Sequence, residues 1–409
     1  MLREARNKVF FKKVESTATN VAPFPASRIK PRAGLVLTGG GARAAYQVGV
    51  VKAVRDILEN PVANPFPILC GTSAGAINAA TLAVFADNFS LGVANLLEVW
   101  EHMRCEHIYR TDAWSILKSG ARWLSAMMLI SRHNPISLLD NAPLREMLEK
   151  NLDFQKIQTH IDSGALYAAC VTASGYTSGQ SVSFFQGGSG LEGWERNQRI
   201  GAAVPLNLEL LLASAALPFI FPAVKFNREY FGDGSMRQIA PVSPALHLGA
   251  DRVLIVGTGR QSSDQARARS NIYPSLAQIA GHALNSIFLD SLMVDIERLE
   301  RINRTVSLIP RDRLSDTAVQ LRPVKVLFVS PSQPLERIAA RFIHELPGTV
   351  RFILRPTGAL NRSGSNLASY LLFEESFCRA LIDLGYQDTA AREAEVKEFF
   401  EDSESSAHG

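Results

Sequence analysis

The chain has 409 residues, 46% hydrophobic and 20% charged, enough to bury one large core or two domains, so a globular protein is expected. Its 43 Lys and Arg against 39 Asp and Glu leave a net charge of +4, too small over this length to mark a nucleic-acid binder. Four widely spaced cysteines, Cys70, Cys105, Cys170 and Cys378, match neither a zinc pattern nor a disulfide framework and are expected as reduced thiols.

Residues 1–31 mix Arg3, Arg6, Lys8, Lys12 and Lys13 with Phe10 and Phe11. They read as a solvated basic arm, or as a weak anchor to anionic lipid. The start lacks the apolar stretch of a secretory signal, and no run of about 18 uncharged apolar residues marks a membrane span. The longest candidate, "LELLLASAALPFIFPAV", is broken by Glu209, Pro218 and Pro222. A cytoplasmic protein is expected, with peripheral membrane association open to it.

A buried strand is predicted over 34–38, followed at once by Gly39, Gly40 and Gly41. The next stretch has Ala45, Val48, Val51, Val54, Ile57 and Leu58 at helical spacing, and Asn60 and Pro61 stop it. A second apolar run, "FPILC", leads into "GTSAGA" and another helix. Further strands are predicted over 165–173, 181–185 and 252–257. This alternation of strand and helix predicts an α/β fold with a parallel sheet covered by helices.

Residues 90–160 read as a mostly helical cap or lid insertion. Within it, 121–130 carries Trp123, Met127, Met128 and Leu129, either as core packing or as a mobile apolar lid. A strand follows over 324–330. A helix over 367–385 is then predicted, with Leu367, Leu371, Phe377, Leu381 and Leu384 near one face and Gly385 as its C-cap. The organisation expected is a basic arm (1–31), a catalytic domain (32–260), a mostly helical extension packed on it (261–396) and an acidic disordered tail (397–409).

The chemistry concentrates at "GTSAG", where Gly71 and Gly75 flank Ser73 in a G-x-S-x-G arrangement between a strand and a helix. A turn this sharp crowds the backbone, and neighbours without side chains avoid the clash. Ser73 Oγ then projects from the top of the sheet beside helix-start N–H groups that favour negative charge. Upstream, the triple glycine lets successive N–H groups converge on one spot, as an oxyanion requires. Gly40 and Gly41 are the first choices as donors, and Ala42 is a further candidate.

Two competing readings use the same residues. Gly39, Gly41 and Ala44 fit a dinucleotide fingerprint with Glu59 about 20 residues on, but Glu59 falls at a helix end and not at the tip of the second strand. A Ser-acid-His triad would need His247, His282 or His344, and each lies in a helical pattern that suits packing or surface exposure. A better base candidate is Asp233 in "YFGDGSMRQIAPV", where Gly232 and Gly234 let the carboxylate lie against another backbone segment; locally it also reads as a D-G turn.

Taken in order, "GGGARA", "GTSAG" and the later "DG" resemble the patatin-like phospholipase family over roughly residues 33–260, and "ASAALPFIFPAV" resembles the apolar block before its aspartate. The resemblance implies a three-layer sandwich and a Ser-Asp dyad, with Ser73 as nucleophile, Asp233 as base and the Gly39, Gly40 and Gly41 loop as oxyanion hole. It also implies a supporting role for Arg43, for the loop or for the developing charge. Ala44 and Ser235 stand where the family usually has small residues of other kinds, so shifts in loop geometry are expected. The implied activity is metal-free and cofactor-free hydrolysis of a glycerophospholipid, lysophospholipid or neutral acyl ester, with peripheral membrane association and a homodimer open to it. The alternative is a catalytically silent, membrane-associated interaction protein.

Overall fold

The computed structural model describes residues 32–112, 137–260, 273–310, 322–361 and 364–401. The expectations for the basic arm, for the segment 121–130 and for 402–409 lie outside these residues. Among the described residues ten strands form one sheet: β1 (Ala33–Leu37), β2 (Ile68–Thr72), β3 (Ala168–Gly175), β4 (Ser181–Gly187), β5 (Trp194–Arg196), β6 (Arg199–Ala203), β7 (Val224–Phe226), β8 (Glu229–Asp233), β9 (Arg252–Val256) and β10 (Lys325–Val329). Their order is β10-β9-β1-β2-β3-β4-β6-β5, with β8 also pairing with β3 and β7 with β8.

The five strands from β10 to β3 run parallel. β1, β2 and β9 are buried at every position, because helices cover both faces of a parallel sheet and its strands become continuous apolar runs. Side chains alternate between two cores. Leu35, Leu37 and Leu69 face one side, with α1 (Ala45–Ile57), α2 (Ala74–Val84) and α3 (Phe89–Glu101). Val36, Ile68, Cys70, Val253 and Ile255 face the other, with Leu292, Ile296 and Leu299. The chain is therefore an α/β protein with a central, mostly parallel sheet between helical layers. All four cysteines are free and buried.

The C-terminal part departs from the sequence reading in three places. β10 joins the parallel sheet beside β9, so residues beyond 261 complete the central layer as well as packing on it. The chain also forms two helices, Ser365–Leu371 and Glu375–Ala390, where one over 367–385 was predicted. Gly385 lies inside the second and is no cap: a Cβ there would collide with the Tyr46 carbonyl, as one at Gly49 would with that of Ile382. These paired glycines let α1 and the Glu375–Ala390 helix approach backbone to backbone. Finally, Glu393–Phe400 is a helix with Phe399 fully buried and its carbonyl accepting from Arg252 Nη1 at 2.7 Å, so residues 397–400 are built into the fold and are not tail.

Leu276–Ser307 is one continuous helical stretch, long and apolar enough by length and composition to cross a bilayer. Its far half packs on the sheet through Leu292, Ile296 and Leu299, and Asp295 accepts from the Val242 N–H at 3.0 Å.

Candidate active site

Ser73 follows β2 and caps α2 with φ 56° and ψ −130°, a backbone region that L side chains rarely adopt. Such a conformation costs on the order of 1–3 kcal/mol and persists where the surroundings enforce it. A Cβ at Gly71 would meet backbone of Gly75 and Ala76, and one at Gly75 would meet the Leu37 and Thr38 carbonyls, so both positions admit only glycine. The turn has a further brace that the sequence reading did not single out. The Ser73 N–H donates to Ser214 Oγ at 2.9 Å, and the Ser214 hydroxyl donates to the Thr172 carbonyl at 2.6 Å, all of it buried. Ser214→Ala should strand the Ser73 N–H and lower stability by about 1–3 kcal/mol, with a loss of kcat beyond what a melting curve accounts for.

The glycine loop leaves β1 and enters a short 3-10 turn, Gly41–Ala44. Gly41 has φ 54°, and a Cβ there would run into the Tyr370 carbonyl. At Gly40 a Cβ would come within 2.5 Å of Thr258 Oγ1, whose hydroxyl donates to the Gly39 carbonyl. The N–H groups of Gly39, Gly40 and Gly41 have no protein acceptor among the described residues. A buried polar chain ties this loop to α2 and α3: Gln47 Nε2 donates to the Thr38 carbonyl (2.7 Å), Asn78 Nδ2 to Gln47 Oε1 (3.0 Å), and Trp100 Nε1 to Asn78 Oδ1 (2.8 Å). Ala42 is fully buried within the turn. Arg43 is 1% exposed and turns away from β1 toward the C-terminal segments.

Asp233 sits at the end of β8, opposite Ala173 of β3, and is completely buried. Its N–H donates to the Ala216 carbonyl at 2.9 Å, and its Oδ1 accepts from the Ser235 N–H at 2.9 Å. A Cβ at Gly234 would strike the Thr172 carbonyl, so this glycine lets the aspartate turn pack on β3 directly behind the elbow. Burial pushes the Asp233 pKa up to about 6, and the Ser73 hydroxyl beside it, then the Ser235 amide and hydroxyl, pull the other way. Oδ2 and Ser235 Oγ have no hydrogen-bond partner among the described residues. The two hydroxyls are thus close neighbours of the carboxylate without a formed bond to Oδ2.

Ser73 and Gly41 open into an apolar cleft of about 990 Å³ including its mouth. Ser73, Ile77, Thr81 and Phe85 line it at four-residue intervals along α2, a run of roughly 18 Å at 1.5 Å per residue. Opposite walls come from Trp100 and Met103, from Leu144 and Leu148 of the Ala142–Asn151 helix, and from Phe221. Among the described residues no histidine lines it. His247 stacks on Trp194 at 4.7 Å, and burial, with Arg196 and Arg199, holds its pKa down to about 4. His282 and His344 are exposed, and Glu59 sits on the exposed turn after α1. Among the described residues no cluster of three or more His, Cys, Asp or Glu could hold a metal.

The family described as patatin-like phospholipase matches residues 35–246, a span that contains the glycine loop, the elbow and Asp233. A cGAMP-activated phospholipase of Pseudomonas aeruginosa (strain BWHPSA011 / Pa011) is 27% identical over 215 residues, 52% of this chain and 55% of that protein. The chain thus spans about half the length of this curated relative. Among solved structures, human GIVD cytosolic phospholipase A2 in complex with methyl gamma-linolenyl fluorophosphonate aligns with a TM-score of 0.39 and 15% identity, over 90% of this chain and 59% of that one. VipD from Legionella pneumophila aligns with a TM-score of 0.30 and 12% identity, over 84% and 67%.

Proposed function

The chain belongs to the patatin-like phospholipase family, and from that premise we propose that it is a serine lipid acyl hydrolase acting through Ser73 and Asp233. The observation that carries this reading is a backbone-strained serine at the head of an apolar cleft with a buried carboxylate beside it. In the ionised form Asp233 takes the proton of Ser73 as Oγ attacks the ester carbonyl. The N–H groups of the Gly39, Gly40 and Gly41 loop, with Ala42 as a further donor, hold the tetrahedral oxyanion. Asp233 then passes the proton to the leaving alcohol, and a water activated by the same carboxylate releases the acyl group from the serine. The scheme draws on no metal or cofactor.

The cleft suits one long acyl chain, and with the family match this supports a lipid acyl ester, phospholipid or lysophospholipid first, as the substrate class. Ile77 lies one helical turn beyond Ser73 on the cleft wall. Ile77→Trp should therefore cut hydrolysis of long-chain esters by about tenfold or more while sparing butyryl esters, since only long chains must pass the indole. Equal loss for both chain lengths would contradict the assignment of the cleft.

The function itself is tested by fatty-acid release from phosphatidylcholine and lysophosphatidylcholine vesicles. The name of the Pseudomonas relative describes activation by cGAMP, so the assay is run with and without this nucleotide, and with and without EDTA. Release that survives EDTA supports the reading. No release from any of these lipids, with or without nucleotide, would favour a catalytically silent protein that only associates with membranes.

A further inference from the structure

Arg43 is the residue of the glycine loop with the most unusual surroundings. Its guanidinium is buried, and every partner comes from the C-terminal part of the chain. Nε donates to Ser369 Oγ at 2.8 Å. Nη1 donates to Asn285 Oδ1 and to the Tyr370 hydroxyl, both at 3.1 Å. Nη2 reaches Asn366 through its side-chain Oδ1 and its carbonyl. The Tyr370 hydroxyl in turn donates to Asn285 Oδ1 at 2.8 Å. The guanidinium carbon stands 4.0 Å over the Tyr370 ring, and Phe288 stacks on that ring with centroids 5.2 Å apart.

All these partners are neutral. Tyr370 also feels Glu336, yet no acidic side chain forms an ion pair with Arg43 among the described residues. A buried cation is ordinarily matched by a carboxylate, because an unpaired charge in low dielectric is costly. Here four side chains and the Asn366 carbonyl accept from the guanidinium, and the Tyr370 ring lies under it, without cancelling the charge. The position matters as much as the chemistry. Tyr370, whose ring carries the cation, and Phe288 line the same cleft as Ser73 and Gly41, and the Tyr370 carbonyl is the surface on which Gly41 rests.

We propose that Asn285, Asn366, Ser369 and Tyr370 are positioning residues that hold Arg43 beside the oxyanion loop as an un-neutralised cation, so that the C-terminal segments are a working part of the active site. The proposal rests on the hydrolytic reading above. In that reading negative charge develops on the carbonyl oxygen in the transition state, and a fixed positive charge behind the loop in a water-poor site favours it. A carboxylate in place of either asparagine would satisfy Arg43 equally well and remove this benefit.

The test compares Asn285→Asp with Asn285→Ala, and Asn366→Asp with Asn366→Ala, in the full chain. Thermal melting is measured beside kcat and KM for p-nitrophenyl butyrate, on the pH plateau where Asp233 is ionised. The aspartate variants are expected to melt at or above the alanine variants but to have the lower kcat, about 10- to 100-fold below wild type, with KM within about twofold. If Arg43 is only a tether, the order reverses: aspartate keeps the acceptor and stays active, while alanine loses both stability and rate. That reversed order, or aspartate variants with wild-type kcat, would overturn the proposal. A wild type inactive on every ester would instead remove the hydrolytic reading, and this inference with it.

Discussion

Ser73→Ala is expected to lower acyl-ester hydrolysis by about 10⁴-fold or more, the loss seen when the nucleophile of an acyl hydrolase is removed. The size follows from what the side chain does in the proposed mechanism: without Oγ there is no acyl-enzyme, and only general binding of the ester remains. Stability should scarcely change. The backbone at position 73 stays at positive φ, the Ser73 N–H bond to Ser214 does not involve the lost hydroxyl, and Oγ makes no bond to Asp233 Oδ2 that would have to be replaced. A variant that melts like wild type and hydrolyses phospholipid at an unchanged rate is incompatible with the mechanism.

Asp233→Asn should lower the rate by about 10²- to 10⁴-fold, the usual worth of a general base, and should also make the protein more stable at neutral pH. The second effect follows from burial, which raises the pKa from 3.8 to about 6. Near pH 3 the side chain is protonated in both the folded and the unfolded chain, and the favourable contribution of the neutral acid is fully present. As pH rises toward 6, the unfolded chain releases its proton first and that contribution is lost. Above the folded pKa the ionised carboxylate destabilises the fold by about 3 kcal/mol, from two pKa units at 1.36 kcal/mol each. Denaturant titrations of wild type and Asp233→Asn should therefore coincide near pH 3 and diverge in favour of the variant by pH 8. The same ionisation sets activity: wild-type kcat/KM should rise with pH to a plateau, with a midpoint near 6. A flat profile between about pH 5 and 8 would contradict Asp233 as the base.

This opposition between stability and activity at one carboxylate could not be read from the chain alone. Asp233 was identifiable as a candidate from its flanking glycines and from the order of the three motifs, but its local pattern is also that of an ordinary turn. What distinguishes it is complete burial against β3, a contact between segments some sixty residues apart. The elbow was readable because its constraints are local: a Cβ at Gly71 would meet backbone of the same strand-turn-helix unit and one at Gly75 that of the adjoining β1, whereas Gly41 rests on the Tyr370 carbonyl, far along the chain.

The supports of the site are long-range, and this hid them. Ser214 lies 141 residues from Ser73, and the Arg43 partners lie 242 to 327 residues away, in segments whose sequence carries only an ordinary helical pattern. Gly385 shows the converse error. A glycine after an apolar helical run suits a C-cap, but a glycine is equally required where two helices touch backbone to backbone, and periodicity within one helix does not report its neighbour.

The central claim is that Ser73 is the nucleophile and Asp233 the group that activates it. A fluorophosphonate probe tests this most directly, because it forms a covalent bond only with an activated serine. The full chain is treated with the probe and the adduct is located by peptide mass mapping, alongside Ser73→Ala and Asp233→Asn. The account predicts a single adduct on Ser73, absent from Ser73→Ala and strongly slowed in Asp233→Asn. An adduct on another residue, or labelling that persists in Ser73→Ala, would contradict it.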